Sequence, residues 1–294
     1  MAQCFFPIKI KNPIWCDFEP FNQDFLEVPC GKCEACLTNK RREWTYRVNE
    51  EFKNSSSAHF ITLTYSDENL YYEAFKDKFG VYHTAPIPLK RDVQLFFKRL
   101  RKSISPYKIR YYAVSEYGTN FLRPHYHIIL FNFPCEFDVF KAVDDAWQKG
   151  FVSVSQVNGA RINYCTSYLF QRSDLPDYLP KPFVLTSRRP GLGLCYLTDK
   201  NIDFHRDNKT LKTIYPDGVK RSLPRYYRDK IFTKPELYEI AILTYQENKP
   251  FIDKLRKADE EWFRSDSLQP SPSYQYRKEF IRKFNMKKKK GKKL

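Results

Sequence analysis

The stretch IRYYAVSEYG (109–118), followed closely by RPHYHIILF (123–131), decides how this chain is read. Both runs are short and rich in β-branched and aromatic residues, which marks strands. So little separates them, a turn through Thr119 and Asn120, that they read as an antiparallel pair. Successive side chains on a strand alternate faces. His125 and His127 therefore point one way and Tyr126 the other, while the IILF that follows holds the strand in the interior. Two imidazoles one strand period apart can chelate a single ion. Glu116, on the preceding strand, can be carried beside them by the turn. Two nitrogens and one oxygen leave positions for water and a phosphate, a donor set that accepts Mg²⁺ or Mn²⁺. The plainer alternative is two hydrogen-bonded histidines and a surface glutamate.

Outward from this pair, HFITLTY (59–65) and FVSVSQV (151–157) read as further strands. PLKRDVQLFFKRLRKSI (88–104) has the apolar stripe of an amphipathic helix, with Val93, Phe96 or Phe97, Leu100 and Ile104 inward. EFDVFKAVDDAWQKG (136–150) predicts a second, with Phe137, Phe140, Val143 and Trp147 inward and Gly150 as its C-cap. NYCTSYLFQR (163–172) predicts a third. The order strand, helix, strand, strand, helix, strand, helix implies an α+β class with a central antiparallel sheet flanked by helices. Three parts are expected: a Cys-rich segment over 1–57, ended by Ser55-Ser56-Ser57; a central domain over 58–186; and a helical, basic region over 187–294. In the last part, helices are expected at 223–232 and 234–248. The tail KKKKGKKL reads as an unstructured anion-binding arm.

Lys and Arg total 51 against 34 Asp plus Glu, a formal charge of +17, which points to a polyanionic partner. The 25 Phe and 21 Tyr can fill a core, and some can stack on unpaired bases. No run of 18 apolar residues and no signal-peptide layout at MAQCFFPIKIKNP occurs, so a cytoplasmic protein is expected, with its eight cysteines reduced. Cys30, Cys33 and Cys36 form C-x₂-C-x₂-C, a spacing that suits one structural Zn²⁺ with Cys4 or Cys16 as fourth ligand. Cys4 is preferred, because a strand start can fold back on the knuckle. An iron–sulfur cluster and a small reduced-thiol core are the alternatives. The adjoining Lys40, Arg41 and Arg42 suit DNA docking, and Cys135, Cys165 and Cys195 read as buried apolar residues.

Tyr164 and Tyr168 lie four apart on the third helix and share a face, a spacing that core packing also produces. A phenol, with its pKa of about 10, attacks a phosphodiester only where charge on the phosphate is stabilised. SRRPGLG (187–193) can offer Arg188, Arg189 and loop amides to a phosphate, or be an ordinary turn. Asp67 and Glu68 read as a solvated turn. No GxxxxGK[ST] loop is present.

PCGKCEACLTNKRREW (29–44), FITLTYSDENL (60–70), SEYGTNFLRPHYHIILF (115–131), YCTSYLFQR (164–172) and SRRPGLGLCYL (187–197) together resemble the HUH endonuclease superfamily. Within it, they are similar to the replication initiators of small circular single-stranded DNA phages, the gokushovirus-like Microviridae. The resemblance implies a palm-like sheet, with His125, His127 and Glu116 as metal ligands and Tyr164 and Tyr168 as nucleophiles. It also implies nicking and rejoining of single-stranded DNA at a phage origin through a 5′-phosphotyrosine, in rolling-circle replication. The implied partners are host helicase and polymerase in the bacterial cytoplasm, without a membrane. Two positions depart from the pattern. Tyr126 stands where a hydrophobic residue is usual, and Ser167 where a lysine is usual, leaving Arg172 as the nearest cation in that stretch. A non-catalytic, zinc-containing protein that coats single-stranded DNA would share the charge, the aromatics and the cysteines.

Overall fold

The computed structural model describes residues 4–118, 121–167, 175–215, 217–265 and 268–291. In chain order the elements are β1 (Ile8–Lys11), β2 (Phe25–Val28), α1 (Glu34–Lys53), β3 (Ala58–Tyr65), β4 (Tyr72–Lys76), β5 (Tyr82–Pro86) and α2 (Lys90–Ser103). They continue with β6 (Arg110–Tyr117), β7 (Pro124–Phe131), α3 (Val139–Trp147), β8 (Gly150–Gln156), α4 (Gly159–Ser167), β9 (Val184–Thr186) and α5 (Asp199–Asp207). β10 (Lys212–Ile214), β11 (Lys220–Ser222), α6 (Arg225–Ile231), α7 (Lys234–Arg264) and α8 (Pro272–Gly291) complete the described chain. The class is mixed α+β. One compact unit comprises Arg41–Asn201 with Ile214–Val219, and the other Met1–Lys40, Ile202–Thr213 and Lys220–Leu294.

The first unit is built on a five-stranded sheet in the order β8-β3-β7-β6-β9, antiparallel throughout. β7 lies at its centre. On one face Ile61, Leu63, Tyr126, Ile128 and Leu130 pack against Val93, Phe96, Phe97 and Leu100 of α2 and Val143 and Trp147 of α3. On the other, Val114, Ile129 and Phe131 meet Val48 of α1 and Ile162 and Cys165 of α4. Covered on both sides, a strand reads as a continuous apolar run, which is why IILF does not alternate. Burying each such side chain is worth roughly 1.5–3 kcal/mol. A one-residue slip of β7 would exchange its two faces and is therefore strongly disfavoured. Polar groups in the first cluster are satisfied: the Tyr65 hydroxyl donates to Asp92 Oδ2 at 2.7 Å and lies 2.8 Å from the Tyr126 hydroxyl. Tyr126 thus sits on the helix-covered face away from the histidines, as strand alternation requires.

The helical readings need correction at several points. α3 starts at Val139, so Phe137 precedes the helix, and Phe140, in its first turn, is half exposed; only Val143 and Trp147 of the expected stripe are buried. Its C-cap is Gln148, which takes the left-handed conformation (φ 58°), not Gly150. Gly150 opens β8 instead, at φ 143°, and a Cβ there would stand 2.3 Å from Ser66 N and 2.4 Å from Thr64 O. Its absent side chain lets β8 close on the end of β3. Cys165 is buried as expected, whereas Cys135 and Cys195 are exposed. α7 runs to Arg264 behind a Thr233–Glu236 capping box, well beyond the apolar pattern that suggested its end. α8 extends as helix to Gly291, into the lysine run that composition alone reads as an unstructured arm. Among the described residues, no helix is long and apolar enough to cross a membrane.

Gly150→Ala should lower the free energy of unfolding by at least about 2 kcal/mol, since it adds strain and a backbone clash together. Urea denaturation followed by circular dichroism measures it, and an unchanged midpoint would contradict the close approach.

Candidate functional site

Register assembles the site. In the β6–β7 ladder Glu116 pairs with His125 and Val114 with His127; in the β3–β7 ladder Thr64 pairs with His125 and Thr62 with His127. Paired residues share a face, so two imidazoles, a carboxylate and two hydroxyls emerge on the α1/α4 side of the sheet. His127 Nε2 lies 2.7 Å from Glu116 Oε2, and its Nδ1 lies 3.1 Å from Thr62 Oγ1. His125 Nδ1 lies 3.0 Å from Thr64 Oγ1. Each threonine fixes one ring nitrogen and so orients the other. The His127 ring is stacked on Phe60, with centroids 5.6 Å apart, and meets the Tyr164 ring edge-on at 5.2 Å. Tyr164, on α4, is 45% exposed, so its phenol is open to a strand arriving from solvent. Tyr168 and Arg172 lie outside the described residues.

Electrostatically, burial lowers the pKa of His125 below the ordinary imidazole value, opposed by the Glu116 charge and reinforced by His127 and Arg123. A neutral ring keeps a lone pair for a ligand. His125 Nε2 has room only because residue 118 is glycine, where a Cβ would stand 3.1 Å from it. Two orientable imidazoles beside a carboxylate are a fitting donor set for a divalent ion. Among the described residues, however, only the four cysteines bring three or more such donors within 4.8 Å of one another, so His125 stands farther out than a closed three-ligand site requires. Asp67 does not join this group; it pairs with Arg123, whose Nη1 also donates to Tyr65 O at 2.8 Å.

In the second unit Cys4, Cys30, Cys33 and Cys36 converge, all four sulfurs lying within 4.8 Å of one another. Cys16 is not among them. The Cys4–Cys33 Sγ separation is 3.7 Å, matching the roughly 3.8 Å edge of a tetrahedron with 2.3 Å Zn–S bonds. Backbone N–H groups converge on the sulfurs: Phe5 N on Cys33, Cys30 N on Cys4, and Lys32 N and Cys33 N on Cys30, at 3.2–3.4 Å. Burial works against charge on Cys33, but N–H donation from Cys36 and Phe5 prevails and holds its thiol at about 6. Burial pushes Cys36 up to about 12. The donor set fits a tetrahedral soft-metal site such as zinc.

The expected DNA-contacting cations are spread out. Lys40 is exposed, whereas Arg41 and Arg42 are half-buried along α1. Arg188 and Arg189 are exposed at the opposite end of the sheet from His125, where with Arg101 and Lys108 they line a cavity of about 1080 Å³. The PGLG turn behind them is clamped: Glu51 accepts from Gly193 N, Arg47 donates to Leu192 O, and Arg110 donates to Pro190 O and Gly191 O. Sequence reasoning missed Thr62 and Thr64, although their two-residue spacing in FITLTY mirrors that of the histidines. It also missed Arg161, three residues before Tyr164, whose guanidinium carbon lies 5.6 Å from the Phe60 ring centroid.

Residues 58–173, which include β3 through α4 and every candidate ligand in the sheet, match the family described as Replication-associated protein ORF2. The chain is 31% identical over 221 residues to Replication-associated protein ORF2 of Spiroplasma virus 4, covering 68% of this chain and 66% of that protein. It is 25% identical over 226 residues to Replication-associated protein VP4 of Bdellovibrio phage phiMH2K, with 68% and 66% covered. Against Replication-associated protein ORF4 of Chlamydia phage 1 it is 22% identical over 237 residues, with 72% and 55% covered. The chain thus spans about two thirds of the first two relatives and about half of the third. No solved structure matches it. With the match running through the histidine strands and the tyrosine helix alike, the chain belongs to the Replication-associated protein ORF2 family.

Proposed function

We propose that this protein is an HUH-type replication-initiator endonuclease that nicks and rejoins single-stranded DNA at a phage origin. One observation carries the reading: the Tyr164 ring stands 5.2 Å from that of His127, on the sheet face that also presents His125 and Glu116. The phenol oxygen of Tyr164 attacks phosphorus, and the bond from phosphorus to the 3′-oxygen breaks. The phenol loses its proton and the leaving oxygen gains one, giving a 5′-phosphotyrosine and a free 3′-hydroxyl. The new ester retains the bond energy, so a later attack by a 3′-hydroxyl rejoins the strand without ATP. Tyr168, four residues on, is the second nucleophile of the same reading.

His125, His127 and Glu116 would hold Mg²⁺ or Mn²⁺, which when bound would neutralise charge on the phosphate and favour attack by a weak nucleophile. Thr62 and Thr64 keep the two rings turned toward it. Arg161 lies beside Phe60 and supplies a cation near Tyr164 in a chain that has Ser167 where a lysine is usual. The cysteines would hold one structural Zn²⁺, and Lys40, Arg41, Arg42, Arg172, Arg188 and Arg189 would contact DNA. Origin DNA would then pass to host helicase and polymerase in the cytoplasm.

His125→Ala and His127→Ala should each lower Mn²⁺-dependent cleavage of a single-stranded origin oligonucleotide by about 100-fold or more. Oligonucleotide binding measured in EDTA should change little. Full-rate cleavage by both variants would remove the site assignment. Thr62→Val and Thr64→Val should instead raise the Mn²⁺ concentration needed for half-maximal cleavage by roughly 10- to 100-fold, with the rate recovered at saturation. Native mass spectrometry should find one zinc per chain, lost in Cys4→Ser and kept in Cys16→Ser; the reverse pattern would overturn the ligand set.

A further inference from the structure

β4 and β5 pair only with each other, forming a two-stranded sheet apart from the central one. An isolated hairpin is marginally stable in water, yet this one is braced along its inner face. Phe75 and Ala85 pack with Tyr117, Tyr178 and Leu179, and the His83 ring stacks on Tyr178 at 4.4 Å and 4°. Asp77 Oδ1 accepts from Phe79 N and Val81 N, and Oδ2 lies 2.9 Å from His83 Nε2, so the tip is preformed. The outer face has no such cover. Pairing of Lys76 with Tyr82 and of Tyr72 with Pro86 puts Tyr72, Lys76 and Tyr82 on that face, with Lys78 and Phe79 at the tip. Phe79 is 78% exposed, Tyr82 72% and Tyr72 54%. Lys76 Nζ lies 5.6 Å from the Tyr82 ring centroid, and Lys78 Nζ 5.1 Å from that of Phe79.

Single exposed apolar residues are ordinary on protein surfaces. Three exposed rings on one braced hairpin, two of them with an ammonium at the ring, are a different arrangement. An aromatic face stacks on any unpaired base, and a neighbouring cation meets the phosphate that flanks it. The one acidic group at the tip, Asp77, is turned inward and occupied, which leaves the outer face cationic. Position supports the same partner. The hairpin follows directly from the end of β3, and its foot rests on Tyr117, one residue from Glu116. It therefore rises from the end of the sheet that carries His125.

We propose that the outer face and tip of the β4–β5 hairpin form a base-stacking surface for single-stranded DNA beside the nicking site. Phe79 and Tyr82 stack on unpaired bases, and Lys76 and Lys78 contact the adjoining phosphates. The inference takes its partner from the nuclease reading above, and its test separates the two. Binding of the full chain in EDTA is followed by fluorescence anisotropy. The probes are a mixed-sequence single-stranded oligonucleotide and an abasic oligonucleotide of equal length and charge. Wild type should prefer the base-bearing strand. The double variant Phe79→Ala/Tyr82→Ala should bind that strand roughly 5- to 100-fold more weakly and the abasic strand unchanged. Phe79→Trp should keep the preference, and Lys76→Gln/Lys78→Gln should weaken both strands alike and flatten the salt dependence. Both rings are exposed, so thermal unfolding of the double variant should match wild type. A double variant that keeps full affinity and preference would overturn the hairpin's role, pointing it toward a protein partner, whatever the protein does to DNA in Mn²⁺. Conversely, a wild type that prefers bases but never forms a covalent adduct would remove the nuclease reading and leave the hairpin standing.

Discussion

The register of β7 between β3 and β6 is the constraint on which the site depends. It sets His125 opposite both Thr64 and Glu116, and His127 opposite Thr62. No loop geometry is needed to bring these five side chains together; ladder hydrogen bonds do it, and the apolar half of β7 locks the ladder in place. Stability and chemistry are divided along one strand. Ile128, Ile129, Leu130 and Phe131 are buried on alternate faces against two helical layers, while His125 and His127 occupy the end where one face opens.

The same division holds across the sheet. On the α2/α3 side polar groups are few and internally matched, as with Tyr65, Asp92 and Tyr126. On the α1/α4 side, hydrogen-bonding capacity is left facing outward near a half-exposed phenol, with Phe60 and Arg161 completing its surroundings. Buried donors that point toward solvent at a strand end are what a phosphate-handling site requires, since the substrate brings the charge and the protein must supply the orientation. In the other unit, four sulfurs already spaced near a tetrahedral edge take the role that a larger apolar core would otherwise fill.

Much of this was legible in the sequence because strand alternation is strict. HYH implies two rings on one face, and a short turn after SEYG implies that Glu116 returns to meet them. The preference for Cys4 over Cys16 agrees with the convergence seen. What was not legible depends on tertiary context. The phase of α3 could not be read from Phe137 and Phe140, because the helix begins at Val139 and its first turn lies at the surface. Gly150 looked like a helix cap, since its sequence position suits that role equally; only the approach of β3 shows why it must lack a side chain. Residues 72–86 carry no strong alternation, so the hairpin with its exposed rings escaped notice. Thr62 and Thr64 were hidden among the β-branched residues that any strand uses.

The account rests on a phenol and two imidazoles acting on one phosphodiester. The most direct measurement is to incubate the protein with a single-stranded origin oligonucleotide and Mn²⁺, isolate any SDS-resistant protein–DNA adduct, and locate the nucleotide by peptide mass spectrometry. The account predicts an adduct that EDTA prevents, with the nucleotide on Tyr164 or Tyr168. Tight binding with no adduct, or an adduct on a tyrosine elsewhere in the chain, would contradict it.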